Sequence, residues 1–273
     1  MKLSSIFSFV AVLGLTIAAA PQKHIKAVTI TKTKGFHTVS KTRGVHTVTR
    51  TRSHTPHTPT PTSGVIQGFD VSHFQKTVDF AAAYKSGARF VYSKATDGTT
   101  LIDKTFAGKS TAAAAAGLLH GAYHFARPST GTGATQANFF LAHGGNPASD
   151  GKTLISFVDL EANPKDPQGA GVCYNLSPKE MVTFIADFVN TYKAATGKAP
   201  MIYTTNSWWK QCTGNSKAFS SSPLMLARYA KTPGAIPGGW AKYTIWQNSD
   251  KYTYGGDSDK LSGGTAALNA LLQ

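Results

Sequence analysis

The sequence from residue 64 to residue 273 predicts an α/β fold, an irregular closed (β/α) barrel. Short apolar runs alternate with helix-like stretches in this part of the chain, as they do where parallel strands are joined by crossover helices. Seven or eight such runs favour a closed barrel over an open, doubly wound sheet. A barrel of 210 residues lies near the lower size limit, so the predicted architecture is TIM-barrel-like with some helices short or missing.

The order of strands and helices follows from the hydrophobic pattern. We predict strands at 65–69, 90–93, 121–125, 154–160, 201–204, 224–227 and 243–246, with a weaker eighth strand at 257–261. Helices are predicted at 79–85, 105–119, 135–143, 178–195 and 265–272. The clearest helix start combines Ser177 as a cap, Pro178 at the first position and Glu180 in a capping box. The connection 206–222 is predicted to be a loop.

Residues 1–20 have the layout of a secretory signal peptide. Lys2 supplies a positive start, residues 6–20 are mostly apolar, and small residues close the run at 18–20. Polar residues follow at once, which favours a cleaved signal over a membrane anchor of about twenty apolar residues. No later stretch of the sequence is long and apolar enough to span a bilayer. We therefore expect a secreted, extracellular protein with no stable membrane anchor.

The cysteine content agrees with an oxidising compartment. The chain has two cysteines, Cys173 and Cys212. An even count in a secreted protein predicts that they form one disulfide bond. The alternative is two separate buried thiols.

Residues 21–63 are predicted to be a basic, disordered tail or propeptide that precedes the catalytic domain at 64–273. The stretch 21–62 holds eight of the 28 Lys and Arg residues, five of the nine His residues and no acid, and it is rich in Thr and Pro. A nucleic-acid-binding arm is the alternative, but secretion and the single aromatic residue Phe36 oppose it. We expect no nucleic-acid partner, attraction of the basic chain to an anionic wall or membrane surface, and a monomer.

Two acids that are two residues apart, Asp159 and Glu161, give the strongest functional signal. They follow the apolar run 154–158, where an interior strand meets solvent. Side chains two apart on a strand point to the same face, with about 6.5 to 7 Å between their α-carbons. Neighbouring carboxyls repel when both ionise, so the pKa of one rises and it can remain a proton donor. Glycoside hydrolysis needs such a donor and a nearby negative group.

Two further acids fall at the predicted ends of the first and eighth strands, which are neighbours in a closed barrel. Asp70 and Asp257 therefore join the pair in a predicted catalytic set of four. The alternative for the pair is an ordinary strand end that is salt-bridged to its neighbours, but four acids at one rim are hard to explain by structure alone. Other acids lie in helix or loop patterns and are interpreted as solvated: Asp79, Asp103, Asp166, Glu180 and Asp187.

Aromatic and polar side chains near the same strand ends are candidates for substrate binding. The aromatic ones can stack on sugar faces and the polar ones can bond hydroxyls or carboxylates, although each can equally belong to the core. The candidates are Tyr123, Tyr203, Arg228, Tyr229, Trp246 and Gln247. In the predicted loop, Trp208 and Trp209 either line the groove or cover the barrel.

Several other chemistries lack a sequence signature. No nucleotide-binding glycine loop follows a predicted strand, and serine or cysteine nucleophile motifs are missing. His73, His120 and His124 do not have metal-ligand spacing. We therefore expect neither a cofactor nor a metal.

The ordered set of segments resembles glycoside hydrolase family 25, the muramidases of the Chalaropsis type. The resemblance covers 65–273 and implies an irregular α/β barrel that hydrolyses the β-1,4 bond between N-acetylmuramic acid and N-acetylglucosamine in peptidoglycan. The segments that carry it are Gly-Phe-Asp-Val-Ser-His-Phe-Gln at 68–75, Phe-Val-Tyr-Ser-Lys-Ala-Thr-Asp-Gly at 90–98, Gly-Ala-Tyr-His-Phe at 121–125, Phe-Val-Asp-Leu-Glu at 157–161, Ile-Tyr-Thr at 202–204, Ile-Trp-Gln at 245–247 and the Asp257 region.

The resemblance also implies roles for the acids. The family's first acid falls on Asp70 and its last acid on Asp257. Glu161 is implied as the proton donor, and Asp159 as the group that steadies positive charge on the sugar ring or on the substrate's acetamido group.

Two departures from the family pattern stand out. Asp97 occupies a position where the family usually has Glu, and Asp257-Ser258-Asp259 replaces the common Asp-x-Asn. Either Asp257 or Asp259 is thus the last acid, and the spacing to Leu261 favours Asp257. The alternative functions are a chitinase-like or N-acetylglucosaminidase-type hydrolase and a wall-binding protein without catalysis.

Overall fold

The computed structural model describes residues 64–129, 131–162 and 171–273, so the predicted signal peptide at 1–20 and tail at 21–63 lie outside the described residues. Eight strands close into a barrel in the order β1, β9, β8, β7, β6, β5, β4, β2, with β1 paired to β2, and β3 pairs with the outer end of β2. The strands are β1 Val65–Val71, β2 Phe90–Asp97, β3 Leu101–Ile102, β4 Leu119–Phe125, β5 Phe157–Leu160, β6 Met201–Thr205, β7 Leu224–Ala227, β8 Ile245–Ser249 and β9 Asp257–Ser262. The predicted irregular barrel is confirmed.

Helices pack on the outside of the strands or close the bottom of the barrel. They are α1 Phe80–Lys85, α2 Phe106–Ala116, α3 Gly133–Phe140, followed by a π-helical turn Leu141–Gly145, α4 Pro178–Thr196, α5 Asn206–Thr213 and α6 Gly264–Ala270. Among the described residues, none of these helices is long and apolar enough to cross a membrane.

The longest helix, α4, begins as its sequence predicts. The Ser177 hydroxyl accepts a hydrogen bond from the Glu180 backbone, and the Glu180 carboxylate accepts one from the Ser177 backbone at 2.8 Å. This reciprocal pair satisfies two N–H groups that the first turn leaves free. The apolar face of α4 follows helical spacing and packs on the barrel through Met181, Phe184, Ile185 and Phe188.

The last strand runs against its neighbours. β9 is antiparallel to both β1 and β8, whereas the other barrel strands pair in parallel. Seven residues, 250–256, connect β8 to β9. A parallel crossover needs a dozen or more residues, so this connection can form only a hairpin. The expectation of parallel strands was wrong for β9, and Asp257 reaches the rim at the carboxyl ends of the other strands from the amino end of its own strand.

The predicted loop at 206–222 was also wrong in its first half, because α5 forms there. The Thr205 hydroxyl accepts a hydrogen bond from the Trp208 backbone and caps the helix. Trp208 and Trp209 are buried in the layer between α5 and the outer face of the sheet, so they cover the barrel. The predicted disulfide is confirmed and joins Cys212 of α5 to Cys173.

The barrel interior is apolar below the rim and is closed underneath by α6. The side chains of the barrel interior include Phe90, Tyr92 and Phe157, and Leu268 and Leu271 lie beneath them. A Cβ on Gly68 would lie 2.3 Å from the Phe90 ring, so this inward position of β1 must lack a side chain.

Candidate active site

The four acids proposed from the sequence converge on one rim of the barrel. Asp70 lies opposite Asp257 in the β1–β9 ladder, and Asp159 on β5 lies beside Tyr203 of β6. Glu161 follows the end of β5, and its pKa is raised by the charge of Asp257. The pKa of Asp70 is raised by the charges of both Asp257 and Glu161. The structure thus brings together residues that are up to 187 positions apart.

Burial and mutual repulsion raise the pKa values of these carboxyls. Burial first, and then the charge of Asp257, raises the pKa of Glu161 to about 7. Burial and Asp250 raise the pKa of Asp257 to about 6. The pKa of Asp159 is raised by burial and by Glu161. The site is therefore a set of interacting carboxyls in which Glu161 keeps a protonated fraction near neutral pH, as acid–base catalysis on sugars requires.

A hydrogen-bond network built on Gln247 holds the acids of β1 and β9. The Gln247 amide nitrogen donates to Asp70 Oδ2 at 2.6 Å and, more weakly, to Asp257 Oδ2 at 3.4 Å. Its oxygen accepts hydrogen bonds from the hydroxyls of Tyr203 at 2.8 Å and Tyr229 at 3.0 Å. Every polar group of the Gln247 side chain is therefore engaged, which fixes the orientation of the amide.

The structure separates the two candidates for the last acid by depth. Asp257 is half-buried at the rim, whereas Asp259 has an exposure of 0 % and lies deeper in the interior, between the Asp257 and Leu261 positions of β9. A bound sugar can reach only the rim. This difference favours Asp257 as the acid that faces substrate.

A buried ion-pair group beside the acids was missed by the sequence reasoning. Lys94 Nζ lies 2.8 Å from Asp97 Oδ2, and the Arg127 guanidinium donates two hydrogen bonds to the same carboxylate. Although burial raises the pKa of Asp97, the bonds from Arg127 and Lys94 bring it below the usual range. Lys94 also lowers the pKa values of Asp159 and Glu161. The available sequence signal was a lysine three residues before an aspartate in β2, whose residues are all buried.

The six predicted substrate-binding residues divide into a buried and an exposed set. Four line the interior or support it: Tyr123, Tyr203, Trp246 and Gln247. Tyr123 stacks on Phe157 at 4.7 Å between ring centroids, as expected of a core side chain. Tyr229, with 53 % exposure, and Arg228 are accessible at the carboxyl end of β7.

A cavity opens next to these exposed residues. It has a volume of about 560 Å³ and lies between the ends of β6 and β7 and the loop 233–235, with Arg228 in its wall. The Arg228 guanidinium donates to the Thr232 carbonyl at 3.1 Å, which holds it at the edge of the cavity. Among the described residues, no group of three or more His, Cys, Asp or Glu side chains is arranged to hold a metal ion.

A closed barrel with adjacent carboxyls at its rim, one of them with a pKa near neutrality, defines a glycoside hydrolase. Residues 69–257 match the model of Glycosyl hydrolases family 25, and the chain belongs to this family. It is 48% identical to an N,O-diacetylmuramidase of a Chalaropsis species over 211 residues, which cover 76% of this chain and 98% of the relative.

Solved structures give the same result. A family GH25 lysozyme from Aspergillus fumigatus superposes with a TM-score of 0.74 at 52% identity, covering 77% of this chain and 100% of the other. A muramidase from Trichobolus zukalii superposes with a TM-score of 0.73 at 50% identity, covering 76% of this chain and 98% of the other. The resemblance inferred from the sequence segments is therefore confirmed.

Proposed function

We propose that this protein hydrolyses the β-1,4 bond between N-acetylmuramic acid and N-acetylglucosamine in bacterial peptidoglycan, with Glu161 as the proton donor. Relatives described as a diacetylmuramidase and a lysozyme support the substrate. The observation that carries the proposal is the convergence of Asp70, Asp159, Glu161 and Asp257 on one rim of the barrel, where burial and Asp257 raise the pKa of Glu161 to about 7. A carboxyl with this pKa keeps a large protonated fraction at neutral pH and can protonate the leaving oxygen.

Asp159 is proposed to act on the acetamido group of the sugar. Its Oδ1 is buried and has no hydrogen-bond partner among the described residues. A buried acceptor left unpaired costs about 1–3 kcal/mol, so the site is incomplete until a donor arrives. An acetamido N–H is a donor that both sugars of peptidoglycan carry, and its bond to Asp159 would aim the acetamido oxygen at the anomeric carbon.

The proposed reaction then has two balanced steps. In the first, the acetamido oxygen bonds to the anomeric carbon while the glycosidic C–O bond breaks, and the leaving oxygen takes the proton of Glu161. Asp159 stabilises the positive charge of the cyclic intermediate. In the second, the Glu161 carboxylate removes a proton from water, whose oxygen attacks the anomeric carbon and reopens the ring. The configuration of that carbon is retained.

The other rim residues are proposed to support this chemistry. Asp257 supplies negative charge that keeps the proton on Glu161, and Asp70 lies opposite Asp257 in the β1–β9 ladder. Exposed Tyr229 suits stacking on a sugar ring. Arg228, in the wall of the 560 Å³ cavity, suits the carboxylates of the lactyl-peptide substituent on muramic acid.

The proposed setting is extracellular. The predicted signal peptide, the basic balance of 19 Lys and Arg to 13 Asp and Glu over 64–273, and the net charge of +15 all suit a secreted protein attracted to anionic wall polymers. We propose that residues 64–273 form the catalytic domain and that it acts as a monomer.

The test uses purified peptidoglycan and two matched Glu-to-Gln variants. Glu161→Gln should lower the rate of wall clearing by roughly a hundred- to ten-thousandfold, because the proton donor is lost. Glu180→Gln on the outside of α4 keeps the capping acceptor and should retain full activity. The released reducing end should be muramic acid. A reducing end of glucosamine would identify a glucosaminidase, and full activity of Glu161→Gln would refute the assignment.

A further inference from the structure

Asp259 is an acid for which the proposed reaction has no use. Its side chain is fully buried, and neither carboxyl oxygen has a hydrogen-bond partner of N–H or O–H type among the described residues. It lies on β9 and faces the barrel interior. In the β1–β9 ladder Asp259 pairs with Gly68, which precedes Asp70 by two residues on β1. An ionised carboxylate in this position would lack both solvent and a donor, which is a costly arrangement.

Two donors on neighbouring strands, the Gln247 amide and the Tyr92 hydroxyl, are committed to other acceptors. On β8, the Gln247 amide nitrogen gives its hydrogens to Asp70 and Asp257. On β2, the Tyr92 hydroxyl gives its hydrogen to the Ile155 carbonyl at 3.1 Å. The charges acting on Asp259 come from Asp70 on β1 and Asp257 on its own strand, and both are negative. Within the part of the chain that the structure describes, no side chain donates a hydrogen bond to the Asp259 carboxyl.

The Asp259 carboxyl lies within hydrogen-bonding reach of the Asp70 carboxyl. Two carboxyls form a hydrogen bond only when one of them carries a proton. Asp70 receives a strong bond from Gln247 and has 8 % exposure, whereas Asp259 has no donor and 0 % exposure. The proton therefore belongs on Asp259, and the negative charge of the pair belongs on Asp70.

We propose that Asp259 is a positioning residue, held as the neutral acid, whose carboxyl O–H donates a hydrogen bond to the Asp70 carboxylate and fixes it at the rim. The pair then carries one negative charge, shared with the Gln247 amide, beside Asp257 and Glu161. The consequence for catalysis rests on the proposed function, but the protonation of Asp259 does not. Burial and the charges of Asp70 and Asp257 raise the pKa of Asp259, in agreement with this state.

The first test is spectroscopic and needs no substrate. In the full chain labelled with ¹³C at the aspartate carboxyls, the signal that disappears in Asp259→Asn should have the shift of a neutral acid and should not move between about pH 4 and pH 7. A signal that titrates near pH 4, as an ordinary aspartate does, would overturn the proposal.

The second test is the pH dependence of thermal stability. A folded-state pKa above the unfolded value means that stability is lost as pH rises from about 4 towards the folded value. Asp259→Asn removes this loss, so its melting temperature relative to the original protein should increase with pH. Asp187→Asn on α4 measures the effect of removing a carboxyl outside the barrel interior. A difference for Asp259→Asn that is independent of pH would contradict the proposal.

The third test separates positioning from catalysis. Asp259→Asn keeps a donor for Asp70 and should hold kcat within about threefold, whereas Asp259→Leu removes the donor and should lower kcat roughly ten- to a hundredfold with little change in KM. Equal kcat in both variants would contradict a donor role. If Asp259→Leu does not fold, the spectroscopic and thermal tests on Asp259→Asn still decide the question. If the protein proves not to be a muramidase, those two tests keep their meaning.

Discussion

Gln247 Nε2 donates a 2.6 Å hydrogen bond to Asp70 Oδ2, and this bond joins β8 to β1 across 177 residues of sequence. The same side chain accepts bonds from Tyr203 and Tyr229. One amide thus links a rim acid to the aromatic side chains of β6 and β7. Closure of the barrel is what makes this link possible, because β1 and β8 both pair with β9.

Replacing this amide should disable the site more than the fold. Gln247→Met keeps the length of the side chain but leaves Asp70 and the two tyrosine hydroxyls without their partner, so kcat/KM on peptidoglycan should fall roughly ten- to a hundredfold. Gln67→Met is the matched control, because Gln67 is on the outward face of β1 and bonds to Ser258 there. Unchanged kinetics in Gln247→Met would show that the network does not position Asp70.

The charge of Asp257 should set the alkaline limit of activity. Burial and then the charge of Asp257 raise the pKa of Glu161 to about 7, so activity should decline above that pH as Glu161 loses its proton. In Asp257→Asn one negative neighbour is gone, the pKa of Glu161 falls, and the alkaline limb of kcat/KM should move to lower pH. Profiles of both proteins over the same range measure the shift. An alkaline limb that stays in place would show that another group controls it.

The charge of Lys94 should shift the pH profile in the direction opposite to the charge of Asp257. Its positive charge lowers the pKa values of Asp159 and Glu161. Lys94→Met should therefore move both limbs of the pH profile to higher pH. It should also lower kcat, because a smaller fraction of Asp159 is ionised and can stabilise the positive charge that develops on the sugar. Lys94→Arg keeps the charge and should leave the limbs near their original positions. A profile of Lys94→Met that matches the original protein would remove Lys94 from the electrostatics of the site.

Local patterns explain how far the sequence could predict the fold. Strands, the capping box of α4 and the disulfide follow from residue spacing, composition and cysteine count, and all three were confirmed. The antiparallel β9 was missed although the seven-residue connection 250–256 allowed no other direction. The start of α5 was missed although Thr205 is an ordinary capping residue, because the aromatic pair after it looked like part of a loop.

The prediction of the site was limited by hydrogen-bonded pairs of residues that lie far apart in the sequence and meet only in the folded protein. The four rim acids were found because strand ends meet at one edge. The partnership of Asp97 with Arg127 joins side chains 30 residues apart and leaves no local signature. Asp103 was interpreted as solvated, but its exposure is 3 % because it accepts bonds from His73, 30 residues away, and from Thr105. Tertiary hydrogen bonds of this kind cannot be read from one sequence.

The proton donor should cost the protein stability. The folded-state pKa of Glu161 is about 7 against an ordinary value of 4.5, so its contribution to stability is fully present below about pH 4.5 and is lost as pH rises towards 7. Glu161→Gln removes that loss and should be more stable than the original protein above pH 7 by up to about 3 kcal/mol, or several degrees in melting temperature. At acid pH the two proteins should melt together.

The exposed Glu180 should show the opposite dependence of stability on pH from Glu161. Hydrogen bonds from Ser177 lower the pKa of Glu180, so its ionisation favours the folded state and Glu180→Gln should lose stability relative to the original protein as pH rises through the ordinary range. Melting curves of both variants at about pH 4 and pH 8 give the two signs directly. A gap between Glu161→Gln and the original protein that is the same at both pH values would mean that Glu161 is not a buried acid with a raised pKa, and the proton donor would have to be sought elsewhere on the rim.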